Sequence, residues 1–305
     1  MQHESRIRPC TPVGLCEYHP ANHVDYEYLR LLHHVMSTGL PRGDRTGTGT
    51  FSVFGAQMRH DMSLGFPLIT TKKVFSRGSI AEFCWMIRGN TNTKFLQDRN
   101  VHIWDEWAKE NGELGPIYGK QWRCWQGARS ADGETRVFAI DQIARLVHDL
   151  GTEPFSRRHV VSAWNTTDVD DMSLPPCHTL FQCYVREDLL RGEAKLDLQV
   201  YCRSIDIFLG LPFDLSLYGM LLSTLARLSG YTPGELVVTF GDLHLYNNHW
   251  QQGMEQLQRM PMPQLPTMEL SPAIQTVEDL DFIDLEYWCL KDYQSHPVIK
   301  AGISV

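Results

Sequence analysis

Leu174–Val185 reads LPPCHTLFQCYV. The two prolines hold the chain extended on its approach, because each fixes its own φ and keeps the residue before it out of the helical region. The uncharged run that follows is apolar, aromatic and β-branched, which predicts a buried strand over 179–185. Cys177 therefore stands at the mouth of a strand. Working outward, HVVSA (159–163) and LDLQVY (196–201) predict two further strands, and the apolar segment 215–229 after Pro212 predicts a long buried helix. Toward the N-terminus, YEYLRLLHHVMSTG (26–39) carries apolar residues at helical spacing, with Gly39 as its stop. TFSVFGAQMRHDM (50–62) reads as a strand and SIAEFCWMIR (79–88) as a helix, while the polar stretch Gly127–Glu134 reads as a surface loop. Strands and helices mix without a βαβ rhythm, which predicts an α+β fold around one mostly non-parallel sheet. Residues 1–24 hold Pro9, Pro12, Gly14 and Pro20 and read as an irregular extension; 25–305 reads as one domain.

Composition narrows the function classes. The chain has 305 residues, 43% hydrophobic and 21% charged, enough apolar surface for a full core. No window approaches the ~18 uncharged apolar residues of a membrane span; the most apolar stretch, Leu215–Leu228, is broken by Ser216, Ser223, Thr224 and Arg227. No apolar run follows MQHESRIRPC, which argues against a secretory signal. A net charge of -8 argues against coating a phosphate backbone, so neither nucleic acid nor membrane is expected as a partner. The 8 cysteines form no CxxC pair, which predicts free thiols, no metal site and a cytoplasmic protein.

Read locally, Cys177 is open to two readings, a buried structural thiol or a nucleophile. Four arginines in unusual settings favour the second: Arg45 in a Gly-rich loop, the pair Arg157–Arg158, and Arg203 just after a strand. Guanidinium groups bind phosphate bidentately, and their field is expected to lower the pKa of a nearby thiol.

Eight strings stand in order along the chain: DRTGTGT (44–50), FPLITTKK (66–73), IWDEWAKENGELGPIYGKQWR (103–123), SRRHVVSAWN (156–165), LPPCH (174–178), RSIDIFLGLPFD (203–214), GDLHLYNNH (241–249) and HPVIKAGISV (296–305). Together they resemble the thymidylate synthase family. The resemblance implies a three-layer α+β fold with a bent six-stranded mixed sheet and a long buried helix, assembled as an obligate homodimer. It implies alkylation of a pyrimidine nucleotide at C5, with 5,10-methylenetetrahydrofolate as co-substrate and no metal. It makes Cys177 the nucleophile that adds to C6 of the base, with Tyr118 beside it and Glu82 organising proton transfers. Arg45, Arg203 and Ser204 would hold the 5′-phosphate, joined by Arg157 and Arg158 from the partner subunit, and His244 and Tyr246 the 3′-hydroxyl. Asp206, Trp104, Trp107, Leu209, Gly210 and Phe213 would line the folate side, with Lys72 near the glutamate tail. The last residues, including Ser304, would close over the ligands. Trp104 and Trp107 at i, i+3 can also be read as core.

Two positions depart from the pattern of members that act on dUMP, which show QRS and PFN. Here Cys202 precedes Arg203-Ser204, and Asp214 follows Pro212-Phe213. The family's Asn accepts from N3–H of uracil and donates toward O4. An ionised carboxylate has no donor and would face the electron-rich O4. Cytosine offers N4–H as donor and N3 as a base, so a carboxyl can accept from one and supply a proton to the other. Asp214 therefore predicts a cytidine monophosphate nucleotide, dCMP with CMP left open, as substrate and a role for Asp214 in the reaction; a base read through water would instead leave dUMP as the substrate. The paired tryptophans and apolar tail favour a methyl product over a hydroxymethyl one, since excluding water leaves hydride to quench the intermediate. A binding module without catalysis would not need the thiol.

Overall fold

In the computed structural model, which describes residues 23–188 and 192–304, the 26–39 pattern becomes helix α1 (His23–Thr38), with Leu29, Leu32, Val35 and Met36 buried. Gly39 ends it where a Cβ would press on the Val35 carbonyl. Residues 1–22 of the expected extension lie outside the described residues, and His23 and Val24 open α1. Strands β1 (Leu40–Arg42) and β2 (Thr50–Asp61) follow, then helices α2 (Ser76–Ile87), α3 (Lys94–Gln97) and α4 (Tyr118–Arg123).

The segment read as a surface loop is instead a hairpin, β3 (Trp125–Ala131) paired with β4 (Glu134–Ile140). Its two-residue turn is Asp132-Gly133, both at positive φ, the conformation that matches the twist of paired strands. Polar composition hid the strands because most of the hairpin's residues are exposed, so no buried face imposes an apolar alternation. Helix α5 (Gln142–Thr152) leads to β5 (Val160–Ser162), β6 (His178–Asp188), β7 (Glu193–Asp206), α6 (Gly210–Ser229), β8 (Thr232–Tyr246), α7 (Trp250–Leu257), β9 (Thr267–Leu270) and β10 (Trp288–Lys291).

Six strands form one mixed sheet in the order β1-β2-β8-β7-β6-β5, antiparallel except for the β7–β8 pair. Phe181, Cys183 and Val185 of β6 and Leu196, Leu198 and Val200 of β7 turn one face into the core. Helices cover that face, with α6 packed on β7, β8 and α2. Leu180, Tyr184 and Val160 alternate with these buried residues and are exposed on the opposite face, where Phe54 of β2 is 82% exposed.

Two local features position the site. Helix α6 begins earlier than the sequence suggests, at Gly210, so Pro212 lies in its first turn. Amides there have no intrahelical acceptor, and proline loses nothing by lacking one. Asp214 is thereby carried on a buried helix. In β6 the register slips between His178, which faces Cys202, and Leu180, which faces Tyr201. Thr179 is the extra residue of this bulge, and it re-aims the start of the strand.

Candidate active site

The bulge turns His178 toward the helices, where its ring packs at 5.5 Å from Tyr118 and 5.2 Å from Tyr218. Its Nε2 lies 3.0 Å from Oδ2 of Asp214. Burial pulls the imidazole down, but the Asp214 carboxylate, with Glu82 beyond it, outweighs that and raises its pKa. The Asp214 side chain remains 16% exposed beside that contact. Sequence reasoning assigned His178 no role; its signal was its place directly after Cys177.

Glu82 comes from α2 and is 9% exposed. Burial, then the nearby Asp214, raises its carboxyl to about 7, although the Trp104 hydrogen bond and His178 oppose the shift. Trp104 Nε1 donates to Oε1 of Glu82 at 2.7 Å. The Trp104 ring packs 5.7 Å from Trp107 and 6.1 Å from Tyr118. Trp104 is thus both a buried wall and a fixed donor, while Trp107 is only partly buried. Glu82, His178 and Asp214 form one electrostatically coupled cluster, in which the Asp214 carboxylate favours the proton on both neighbours and contacts His178 at 3.0 Å.

Cys177 is partly exposed at the edge of this cluster. Its backbone N–H donates to the Tyr118 hydroxyl at 2.7 Å, and its carbonyl accepts from the Arg203 N–H at 2.8 Å. The Arg203 guanidinium donates to the carbonyls of Pro176 and Pro175 at 2.8 and 2.9 Å, so the double proline also fixes the arginine. The expected lowering of the thiol pKa is corrected here. Burial raises it; Arg203, Tyr118 and Arg45 pull it down, Asp214 adds to the rise, and the net direction is up. Arginine fields act as anticipated but lose to desolvation in the protein alone. Cys202 is fully buried, its thiol held well above the ordinary range first by burial, then by Asp214 and Cys177.

The remaining predicted residues fall into three groups. Arg45 lies exposed on a loop shaped by Asp44, whose carboxylate accepts from the Thr46 and Gly49 amides at 2.6 and 2.8 Å. Gly47 and Gly49 of that loop have φ of 74° and 76°, where a side chain is strained. His244 Nδ1 lies 3.3 Å from Asp242 Oδ1, which selects the tautomer that leaves Nε2 as an acceptor, and Tyr246 packs edge-on at 5.2 Å. Ser204 is partly buried on β7 between Arg203 and Asp206.

On the other side, Asp206 Oδ1 accepts from the Phe208 N–H at 2.8 Å. Lys72 is 5% exposed, its ammonium donating to the Phe208 carbonyl and lying 3.4 Å from the centre of the Phe208 ring. Burial lowers Lys72 to about 7 against the pull of Asp206. Leu209, Gly210 and Phe213 occupy the start of α6 beside Asp206. Ser304 accepts from Asn248 Nδ2 at 3.4 Å, part of a tail that docks along α7; Val305, expected to latch it, lies outside the described residues.

Arg157 and Arg158 are not brought to this cluster. Both are exposed on the loop between α5 and β5, and the arginine field on Cys177 comes from Arg203 and Arg45. Among the described residues no group of three or more His, Cys, Asp or Glu side chains is arranged to hold a metal ion, and no helix is long and apolar enough to cross a membrane.

A strand-mouth thiol backed by a buried acid–imidazole cluster, with arginine on one side and an acid and a buried lysine on the other, suits covalent activation of a small anionic substrate. Residues 26–305 match the family model described as thymidylate synthase, and the chain therefore belongs to the thymidylate synthase family.

Proposed function

We propose that this chain acts on dCMP and yields 5-methyl-dCMP and dihydrofolate, within a family that carries a one-carbon unit from methylenetetrahydrofolate to a pyrimidine nucleotide. The observation that carries the reading is the Asp214–His178 contact: one carboxylate oxygen is committed to the imidazole, and the side chain stays 16% exposed, within reach of a ligand. Asp214 Oδ1 accepts from the cytosine amino group. The cluster of Asp214, His178 and Glu82 holds the proton that the ring nitrogen takes up as the Cys177 sulfur adds at C6. Uracil would present O4 to the same carboxylate, two acceptors facing each other without a donor.

Arg203 and Arg45 hold the 5′-phosphate, with Ser204; His244 Nε2 and the Tyr246 hydroxyl take the sugar hydroxyl. The folate side fits its ligand chemically. Trp104 and Trp107, packed edge to face at 65°, offer an aromatic wall, Asp206 a carboxylate for the amino edge of the pterin, and Lys72 a cation on the same side. Leu209, Gly210 and Phe213 close the wall. When bound, methylenetetrahydrofolate supplies both the one-carbon unit and the hydride. The chain's part is to exclude water: Trp104 is pinned by Glu82, and the tail segment carrying Ser304 is docked at Asn248.

We further propose a homodimer through the sheet face opposite the helices. Support comes from Phe54, Tyr184, Val160 and Leu180, 82%, 63%, 45% and 39% exposed on that face. Arg157 and Arg158 at its edge would reach the partner's phosphate site.

The test is the mass of the product from dCMP and methylenetetrahydrofolate. A gain of about 14 Da is expected for methyl at the activated C5 carbon, whereas a gain of about 30 Da means that water replaced hydride. No product from dCMP overturns the reading.

A further inference from the structure

His249 lies at the junction of β8 and α7, wholly buried, and no step above uses it. Its Nε2 is 2.7 Å from the Gly302 carbonyl oxygen, in the C-terminal segment. A carbonyl only accepts, so Nε2 carries the hydrogen. In a neutral ring Nδ1 is then a bare acceptor. That atom is buried without a hydrogen-bond partner, and it faces Asp206 Oδ2 at 3.9 Å. Two acceptors confront each other at the point where the tail meets the folate side.

We propose that His249 is a positioning residue that couples docking of the C-terminal segment to Asp206 by taking up a proton. This rests on the reading of Asp206 as a folate-facing group. With the tail away, a neutral ring carries its hydrogen on Nδ1 and donates it toward Asp206. Docking of Gly302 requires a hydrogen on Nε2 as well, and the imidazolium that results satisfies both neighbours. The titratable and charged groups around the ring are few. Asp206 faces it from β7 and Tyr246 from β8, its ring 6.0 Å away. Phe208 packs at 5.4 Å, and Lys72 lies on that same ring. Asp206 favours the proton and Lys72, where charged, opposes it. The tail's other anchors are Gln252 on the Lys300 carbonyl, Arg259 on the Pro297 carbonyl and His296 on the Met260 carbonyl. Of these only His296 is a histidine.

Amide hydrogen exchange of residues 298–304 in the ligand-free full chain, corrected for the intrinsic pH dependence, reads the coupling. Wild type is expected to lose protection by about fivefold or more between pH 5.5 and 8, the scale of an ordinary coupling between sites. His249→Gln keeps a donor for Gly302 but cannot titrate, so its protection is expected to be flat over that range. Asp206→Asn, which removes the facing charge, is expected to reduce the slope as well and serves if His249→Gln fails to fold. His296→Gln is the control and should retain the wild-type slope. A flat wild-type profile, or an unchanged slope in His249→Gln or Asp206→Asn, overturns the proposal. Because no nucleotide is present, preference for the wrong base would leave this result untouched, and a flat profile would leave the base preference untouched.

Discussion

At the scale of single residues, the site depends on groups held away from their ordinary charge. Glu82 is raised from 4.5 to about 7 by burial and then Asp214, and Lys72 is lowered from 10.5 to about 7 by burial. The signs follow from proton counts. Between pH 4.5 and 7 the folded chain keeps a proton on Glu82 that the unfolded chain has lost, so this group's contribution to stability falls as pH rises. Lys72 behaves oppositely: from pH 7 to 10.5 the unfolded chain holds the extra proton, and stability rises with pH. In urea unfolding of the ligand-free chain, Glu82→Gln is therefore expected to gain on wild type by about 3 kcal/mol as pH increases through that lower window. A pH-independent difference would mean that Glu82 is ionised throughout. Cys177 was legible because proline and strand signals surround it. The direction of its pKa was not, because desolvation depends on packing that no local string encodes. His178 was missed for the same reason: its value comes from a partner 36 positions away, Asp214, which the α6 start and the β6 bulge bring to 3.0 Å.

At the scale of elements, strong periodicity was read well. Helices α1 and α2 and strands β2, β6 and β7 all stand where apolar spacing put them, with ends displaced by a few residues. Strand β8 was not read, and the early start of α6 was harder, since Pro212 reads as a break unless it is known to lie in a first turn. The hairpin β3–β4 escaped because its faces are exposed, although Asp132-Gly133 was the available turn signal. Helix α6 carries Asp214, so its termination bears on the site's rigidity. Gly230 closes it at φ 76°, with open space where a Cβ would stand. Gly230→Ala thus meets no clash, only left-handed backbone strain, and should cost about 1 kcal/mol of stability in thermal or urea unfolding. An unchanged midpoint would show that the helix end relaxes freely.

At the scale of the whole molecule, one sheet face is covered by helices and the other shows large apolar side chains, which supports a second copy of the chain as its cover. Tyr184→Asp, set within that face, is expected to shift the protein from dimer to monomer in sedimentation velocity and to abolish turnover, because Arg157 and Arg158 then lose their route to a phosphate site. A monomeric wild type with full activity would refute this. The eight ordered strings made the family legible, because they are spread in order over the same span that the family model matches. The proposed base choice rests on one residue, Asp214, whose contact with His178 is compatible with a carboxyl in that role. The most direct measurement is the ratio of kcat/KM for dCMP and dUMP, followed by release of tritium from C5, in wild type and in Asp214→Asn. Wild type should favour dCMP, and the variant should move the ratio toward dUMP by about a hundredfold or more; faster turnover of dUMP by the wild type, or a ratio that the substitution leaves unchanged, would contradict it.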